Sequence, residues 1–237
     1  MPDAAPPHDR LIVALDLPSV SEAQALVTTL GDAVSFYKVG LELVLAGGLD
    51  LVRDLKADGA KVFLDMKLLD IGNTVEMAVR RAAETGADFL TIHGIDSKTV
   101  TAAARGAEGS DLKILGVTVL TSLDQDDLAE QGLSELPSHL VTRRAELVCK
   151  AGGHGVIASG QEAALVRAAV GPDALIVTPG IRLPDNETDD QARIATPGKA
   201  IRDGASHLVV GRPISKASDP RAAALRFQDE IAAAVGG

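Results

Sequence analysis

The sequence predicts an α/β protein, a single-domain (β/α)8 TIM barrel, and three observations carry that expectation. Eight short, β-rich apolar runs are each bounded by turn residues and followed by a helix-like segment. The runs are apolar on both faces, as parallel strands covered on each side must be. A length of 237 residues suits eight β/α units closed into one barrel. An open doubly wound sheet is the structural alternative, but it would more often carry a glycine-rich dinucleotide turn after its first strand, and "ALDLPSVSEAQ" has none.

In chain order, residues 1–10, "MPDAAPPHDR", read as a loose Pro-rich, acidic leader, with the catalytic barrel expected over residues 11–237. The strands are expected in "LIVALD" from Leu11, "SFYKVG" from Ser35, "KVFLDMK" from Lys61 and "FLTIHG" from Phe89. Four more follow in "KILGVTVLT" from Lys113, "GVIAS" from Gly155, "LIVTPG" from Leu175 and "HLVVGR" from His207. Segments such as "SEAQALVTTL", "NTVEMAVRRAAETG" and "SHLVTRRAELVCKAGG" have helical spacing and strong helix formers. "SLDQDDLAEQGLSELP" adds an extra helical turn or loop after the fifth strand, and "GIRLPDNETDDQARIATPG" is a long polar loop after the seventh. Loops of that length in a compact domain are often lids or binding loops.

Composition excludes several classes. A formal charge of −10 repels polyanions, and only Phe36, Tyr37, Phe63, Phe89 and Phe227 are available to stack on bases, so nucleic acid is not the expected partner. A small anion remains admissible wherever a local basic pocket overrides that field. Cys149 is the only cysteine, which rules out an intramolecular disulfide and fits a reducing compartment. The start lacks a basic, apolar signal segment and no run of about 18 apolar residues follows, so a soluble, cytoplasmic protein that neither enters nor crosses a membrane is expected.

Active sites of such barrels form at the C-terminal ends of the strands, and the polar residues there converge. Asp16 ends the first run, Lys38 lies in the second, Asp65 and Lys67 in the third, and Thr121 with Ser122 ends the fifth. The seventh leads to Pro179, Gly180 and Arg182, and the eighth to Gly211 and Arg212. Asp65 and Lys67, two apart in a strand, are expected on one face, with Asp70 just past it at a turn. The plain reading is a structural ion pair, with Asp70 or Asn73 as an N-cap. Burying three charges is costly unless each is paired, and further charged strand ends nearby favour a pocket. "GRPI" supplies backbone amides and the Arg212 guanidinium where barrels often hold phosphate; Arg182 adds a cation and Gln191 an amide. His93 has no metal-ligating partner at suitable spacing, and His154 and His207 precede strands at the opposite, stability face.

The stretch "DMKLLDIGNT", Asp65 to Thr74, carries Asp-x-Lys-x-x-Asp-Ile-x-x-Thr and, with "LIVALD", "YKVG", "VTVLTS", "TPGIR" and "VVGRPI" in the same order, resembles the bacterial orotidine 5'-phosphate decarboxylases over nearly the whole chain. Only the loop "LPDNETDDQARIATPG" is loosely similar. The resemblance implies decarboxylation of orotidine 5'-phosphate to uridine 5'-phosphate in pyrimidine biosynthesis, with neither metal nor organic cofactor. It implies Lys67 as proton donor within a network completed by Asp65 and Asp70. Asp16 and Lys38 would bind ribose hydroxyls, Thr121, with or without Ser122, the pyrimidine, and Arg182, Gln191, Gly211 and Arg212 the phosphate. Asp70 and Thr74 would reach into a neighbouring subunit's site, which implies a homodimer with shared active sites.

Other readings are separable. Metal-dependent sugar-phosphate decarboxylases and hexulose phosphate synthases of the same superfamily resemble the Asp-x-Lys-x-x-Asp stretch, but they place an acidic ligand on the second strand, where Lys38 stands here. A Schiff-base lysine needs a free amine, which flanking carboxylates oppose. A catalytically silent phosphate-binding protein would not need the full charged set.

Overall fold

A computed structural model describes residues 6–183 and 195–236. These form a closed barrel in which eight parallel strands pair in sequence order and β1 closes onto β8. The strands are β1 Leu11–Ala14, β2 Phe36–Gly40, β3 Lys61–Leu68, β4 Phe89–His93, β5 Lys113–Val117, β6 Gly155–Ile157, β7 Leu175–Thr178 and β8 His207–Val210. Seven fall within the runs expected for them, and β3 runs one residue past its run, to Leu68. The surrounding helices are α1 Val20–Leu30, α2 Leu41–Leu45, α3 Gly48–Ala57, α4 Gly72–Ala83, α5 Ser97–Ala107, α6 Gln125–Glu130, α7 Pro137–Lys150, α8 Ala163–Val170, α9 Pro197–Arg202, α10 Arg212–Ser215 and α11 Pro220–Val235. The extra segment expected after the fifth strand is α6, held by a capping box in which Asp124 and Asp127 each bond the other's backbone amide. Ser19, Asp96 and Asp219 cap α1, α5 and α11 in the same chemical way.

Two apolar cores result from strand alternation. One lies between strands and helices; the other, built from Ile12, Ala14, Phe36, Phe63, Phe89, Leu115, Val177 and Val209, takes its members from strands alone and fills the barrel interior. Because side chains two apart share a face, this inner set also assigns Lys38, Asp65 and Thr91 to the interior, one step beyond Phe36, Phe63 and Phe89. The interior is thus aromatic low down and charged toward the strands' C-terminal ends.

The floor is an edge-to-face aromatic cluster. Phe89 packs 5.1 Å from Phe36 and 5.2 Å from the His207 imidazole, centroid to centroid, and 6.2 Å from Phe63. Beneath it, Pro7–Arg10 form a 3-10 turn whose Asp9 accepts hydrogen bonds from Lys61 Nζ (2.8 Å) and Ser35 Oγ (2.9 Å). This part of the expected loose leader is therefore docked, because a two-point carboxylate anchor outweighs the freedom of a few residues. His154 also serves the scaffold, its Nδ1 accepting from the Ile114 amide (3.1 Å). Cys149 is half-buried on α7, where burial raises its thiol pKa. No described helix is long and apolar enough to cross a membrane.

Burial, reinforced by the charges of Arg10 and Lys61 against the opposing effect of Asp9, pushes the His207 pKa down to about 4 from its ordinary 6.5. The folded floor therefore favours the neutral ring, and the unfolded chain takes up a proton first as pH falls. His207 should contribute fully above about pH 6.5 and lose up to about 3 kcal/mol of that contribution as pH drops to about 4. Urea unfolding midpoints recorded across this window should fall, and His207→Phe, which keeps a ring in the cluster, should flatten that part of the profile.

Candidate active site

At the C-terminal mouth of the barrel the strand ends enclose a cavity of about 460 Å3, ample for a small-molecule ligand. Asp16, Lys38, Asp65, Lys67, Thr121, Arg182, Gly211 and Arg212 all line it. The structure thus brings these eight positions together at one mouth. Ser122 does not line the cavity, and Gln191 lies outside the described residues.

The charges form an alternating chain. Lys38 Nζ lies 2.7 Å from Asp16 Oδ1 and 3.4 Å from Asp65 Oδ2, while Lys67 Nζ donates to Asp65 Oδ1 at 2.8 Å. Both Asp65 oxygens thus face an ammonium. Burial alone would raise the Asp65 pKa, but the charges of Lys38 and Lys67 and hydrogen bonds from Lys67 and Thr91 outweigh it, holding the carboxyl below its usual range. Lys38, only 6% exposed, is tolerable there because it sits between two carboxylates. Gly40 makes room for this pairing: a Cβ at that position would stand 2.9 Å from Asp16 Oδ1 and 3.0 Å from Lys38 Nζ.

Asp65 and Lys67 do not meet by simple alternation. Leu64 pairs with Leu90 and Leu68 with Ile92, so β3 spends four residues where β4 spends two. Lys67 takes up the excess in the left-handed region, with φ 49°, the sole described non-glycine residue with positive φ. Such a conformation costs on the order of 1–3 kcal/mol in a non-glycine residue and clusters at functional sites. A bulge therefore aims the ammonium. β-Bulges commonly re-aim side chains beside active sites.

Asp70 and Thr74 stand apart from the cavity and are exposed. Asp70 Oδ1 accepts the Ile71 amide at 2.6 Å, and α4 begins without a side-chain cap, so neither Asp70 nor Asn73 serves as its N-cap. Within one chain the second carboxylate of the charged network is consequently Asp16, acting through Lys38, rather than Asp70.

On the β7 and β8 side, Arg182 is 7% exposed and donates to the Ile181 carbonyl (3.0 Å), while Gly211 leads from β8 directly into α10. The Gly211 carbonyl takes the amides of Ile214 and Ser215, which withdraws those two from any backbone cradle. The structure adds Lys216 and Ser215 to this rim, neither of which the strand-end reading reached because both lie beyond α10's start. Away from that rim, and not lining the cavity, Thr91 on β4 stands behind the charged chain, its hydroxyl donating to Asp65 Oδ1 at 2.8 Å. His93 ends β4 half-buried, its pKa lowered by burial and by the charges of Lys67 and Arg144. Among the described residues no group of three or more His, Cys, Asp or Glu side chains is placed to hold a metal ion.

The sequence matches the family model described as "Orotidine 5'-phosphate decarboxylase / HUMPS family" over residues 9–227. A curated relative named orotidine 5'-phosphate decarboxylase, from Bradyrhizobium sp. strain BTAi1, is 54% identical over 99% of this chain and 96% of its own. Another of that name from Caulobacter sp. strain K31 is 55% identical over 94% of this chain and 97% of its own. Among solved structures, the orotidine 5'-phosphate decarboxylase of Lactobacillus acidophilus superposes with a TM-score of 0.84 at 38% identity, covering 94% of this chain and 99% of that one. A barrel of the same topology, a charged mouth and full-length relatives of one name converge: the chain belongs to the orotidine 5'-phosphate decarboxylase / HUMPS family and is a decarboxylase, a carboxy-lyase.

Proposed function

We propose that this enzyme converts orotidine 5'-phosphate to uridine 5'-phosphate and CO2, the last step of UMP synthesis, in the cytoplasm and without metal or organic cofactor. The observation that carries this reading is the alternating chain Asp16, Lys38, Asp65, Lys67 facing a cavity whose other strand ends bear Arg182 and Arg212. Breaking the bond between C6 and the carboxylate leaves an electron pair on C6 in the ring plane, out of conjugation with the carbonyls. Lys67 then supplies both the countercharge and the proton, and the resulting amine is reprotonated from solvent. An ammonium about 4 Å from the developing anion contributes roughly 4 kcal/mol at an effective dielectric near 20.

That is well short of the roughly 8 to 23 kcal/mol by which enzymes lower barriers. The remainder is assigned to the phosphate grip of Arg182, Gly211, Arg212 and Gln191, whose binding energy presses the reacting carboxylate toward Asp65. Asp65 and its partners keep Lys67 charged and oriented, Asp16 and Lys38 hold the ribose hydroxyls, and Thr121 contacts the pyrimidine. A divalent cation suits this donor set poorly, since Asp65 already faces an ammonium at each oxygen and Lys38 adds repulsion.

A homodimer with shared sites supplies a role for Asp70 and Thr74. They lie on an exposed stretch that also presents Leu69, Ile71 and Met77, 50%, 74% and 42% exposed, as an interface between two copies would require. The partner's Asp70 would then complete the network around Lys67.

Lys67→Ala should abolish CO2 release, followed by orotidine 5'-phosphate absorbance, while uridine 5'-phosphate still binds by calorimetry; near-normal turnover would sink the assignment. Chelator should leave the wild-type rate unchanged, whereas a loss restored by magnesium would favour the sugar-phosphate chemistry. Arg212→Ala should lower kcat/KM roughly 10- to 100-fold, the worth of one charge-assisted phosphate contact. Mixing Lys67→Ala subunits with Asp70→Asn subunits should restore up to one working site per heterodimer, and a fully active monomer in sedimentation would contradict the shared site.

A further inference from the structure

Thr91 stands where the β3–β4 ladder is broken. Its side chain is wholly buried on the interior face of β4, opposite the extra residues of β3. The Lys67 amide, turned by its positive φ, donates to Thr91 Oγ1 at 3.0 Å. The Thr91 hydroxyl in turn donates to Asp65 Oδ1 at 2.8 Å, the same oxygen that accepts from Lys67 Nζ.

The polarity of this relay is fixed. A backbone amide can only donate, so it occupies a lone pair of the hydroxyl, and the single hydroxyl proton is left for Asp65, which as a carboxylate can only accept. One side chain thereby ties the backbone of the bulge to the carboxylate that the same residue's ammonium must meet. The result is a closed ring: Lys67 amide, Thr91 hydroxyl, Asp65 carboxylate, Lys67 ammonium.

We propose that Thr91 is a positioning residue for the proton donor, holding Lys67 in its left-handed bulge and fixing the Asp65 oxygen against which the Lys67 ammonium is aimed. The catalytic part of this inference rests on the decarboxylation proposed above; the positional part does not. A displacement of about 1 Å in a reacting group can cost roughly 100-fold in rate, so a residue that touches no substrate can still govern turnover.

Thr91→Val keeps the shape and removes the hydroxyl, while Thr91→Ser keeps the hydroxyl. The valine variant should lose roughly 10- to 100-fold in kcat with KM and uridine 5'-phosphate affinity changed less than about 3-fold, and the serine variant should stay within about 3-fold of wild type. The acid limb of the kcat profile should also move to higher pH in the valine variant, because Asp65 loses a hydrogen bond that favours its ionised form; a purely structural role would not move it. Should the valine variant fail to fold, Thr91→Ala, which only removes atoms, carries the same expectation. Wild-type kcat and acid limb without the hydroxyl, or equal damage from serine, would overturn the proposal.

A crystal structure of the hydroxyl-less variant reads the positioning directly. Lys67 should leave positive φ and its ammonium should part from Asp65; retention of both overturns the proposal whatever the activity. Failure of the wild-type enzyme to decarboxylate orotidine 5'-phosphate would instead defeat the functional reading, leaving this structural outcome to decide the role of Thr91.

Discussion

The site depends on one largely, though not fully, buried carboxylate held between two ammonium groups. Asp65 lies where desolvation disfavours charge, and it stays ionised because Lys38 faces one oxygen and Lys67 the other. Lys38, itself buried, needs a countercharge for the same reason, and Asp16 gives it a second carboxylate partner. Two negative and two positive groups therefore balance at the barrel mouth. Removing either partner of a buried pair leaves the other uncompensated, so the chain is maintained as a unit or lost as one.

The barrel makes that arrangement possible by separating what stabilises from what reacts. Its interior alternates inward: Phe36, Phe63 and Phe89 belong to an apolar plug, and the residues two further along, Lys38, Asp65 and Thr91, begin the polar mouth. The floor is sealed from below by the Asp9 anchor and from within by the His207 ring cluster. Rigid strands then carry the charged groups, and the bulged end of β3 is the local exception. There Lys67 holds a conformation that a lysine rarely adopts, supported by hydrogen bonds from its own backbone and side chain.

Much of this was legible from residue order. Alternating β-rich runs and helical segments marked all eight strands, because a parallel barrel imposes a repeating pattern of burial on the chain. Polar residues ending those runs marked Asp16, Lys38, Asp65, Lys67, Arg182 and Arg212, since charge at the end of an apolar strand requires an explanation. Thr91 was passed over because threonine is an ordinary strand residue, and only its place on the inner face gives it meaning. Lys216 was missed since it follows a helix turn rather than a strand, and the docking of Asp9 depends on Lys61 and Ser35, distant in sequence.

What the sequence by itself determined is the periodic part: the strand set, the closed barrel and the convergence of charged strand ends at one mouth. These follow from burial, which is local in pattern and repeats along the chain. What only the tertiary structure decided is pairing: that Lys38 is shared between Asp16 and Asp65, that Lys67 meets Asp65 through a bulge instead of plain alternation, and that Asp70 turns away from its own chain's cavity. Pairing is a matter of distances between residues far apart in sequence and of backbone angles at single positions. No periodicity encodes either.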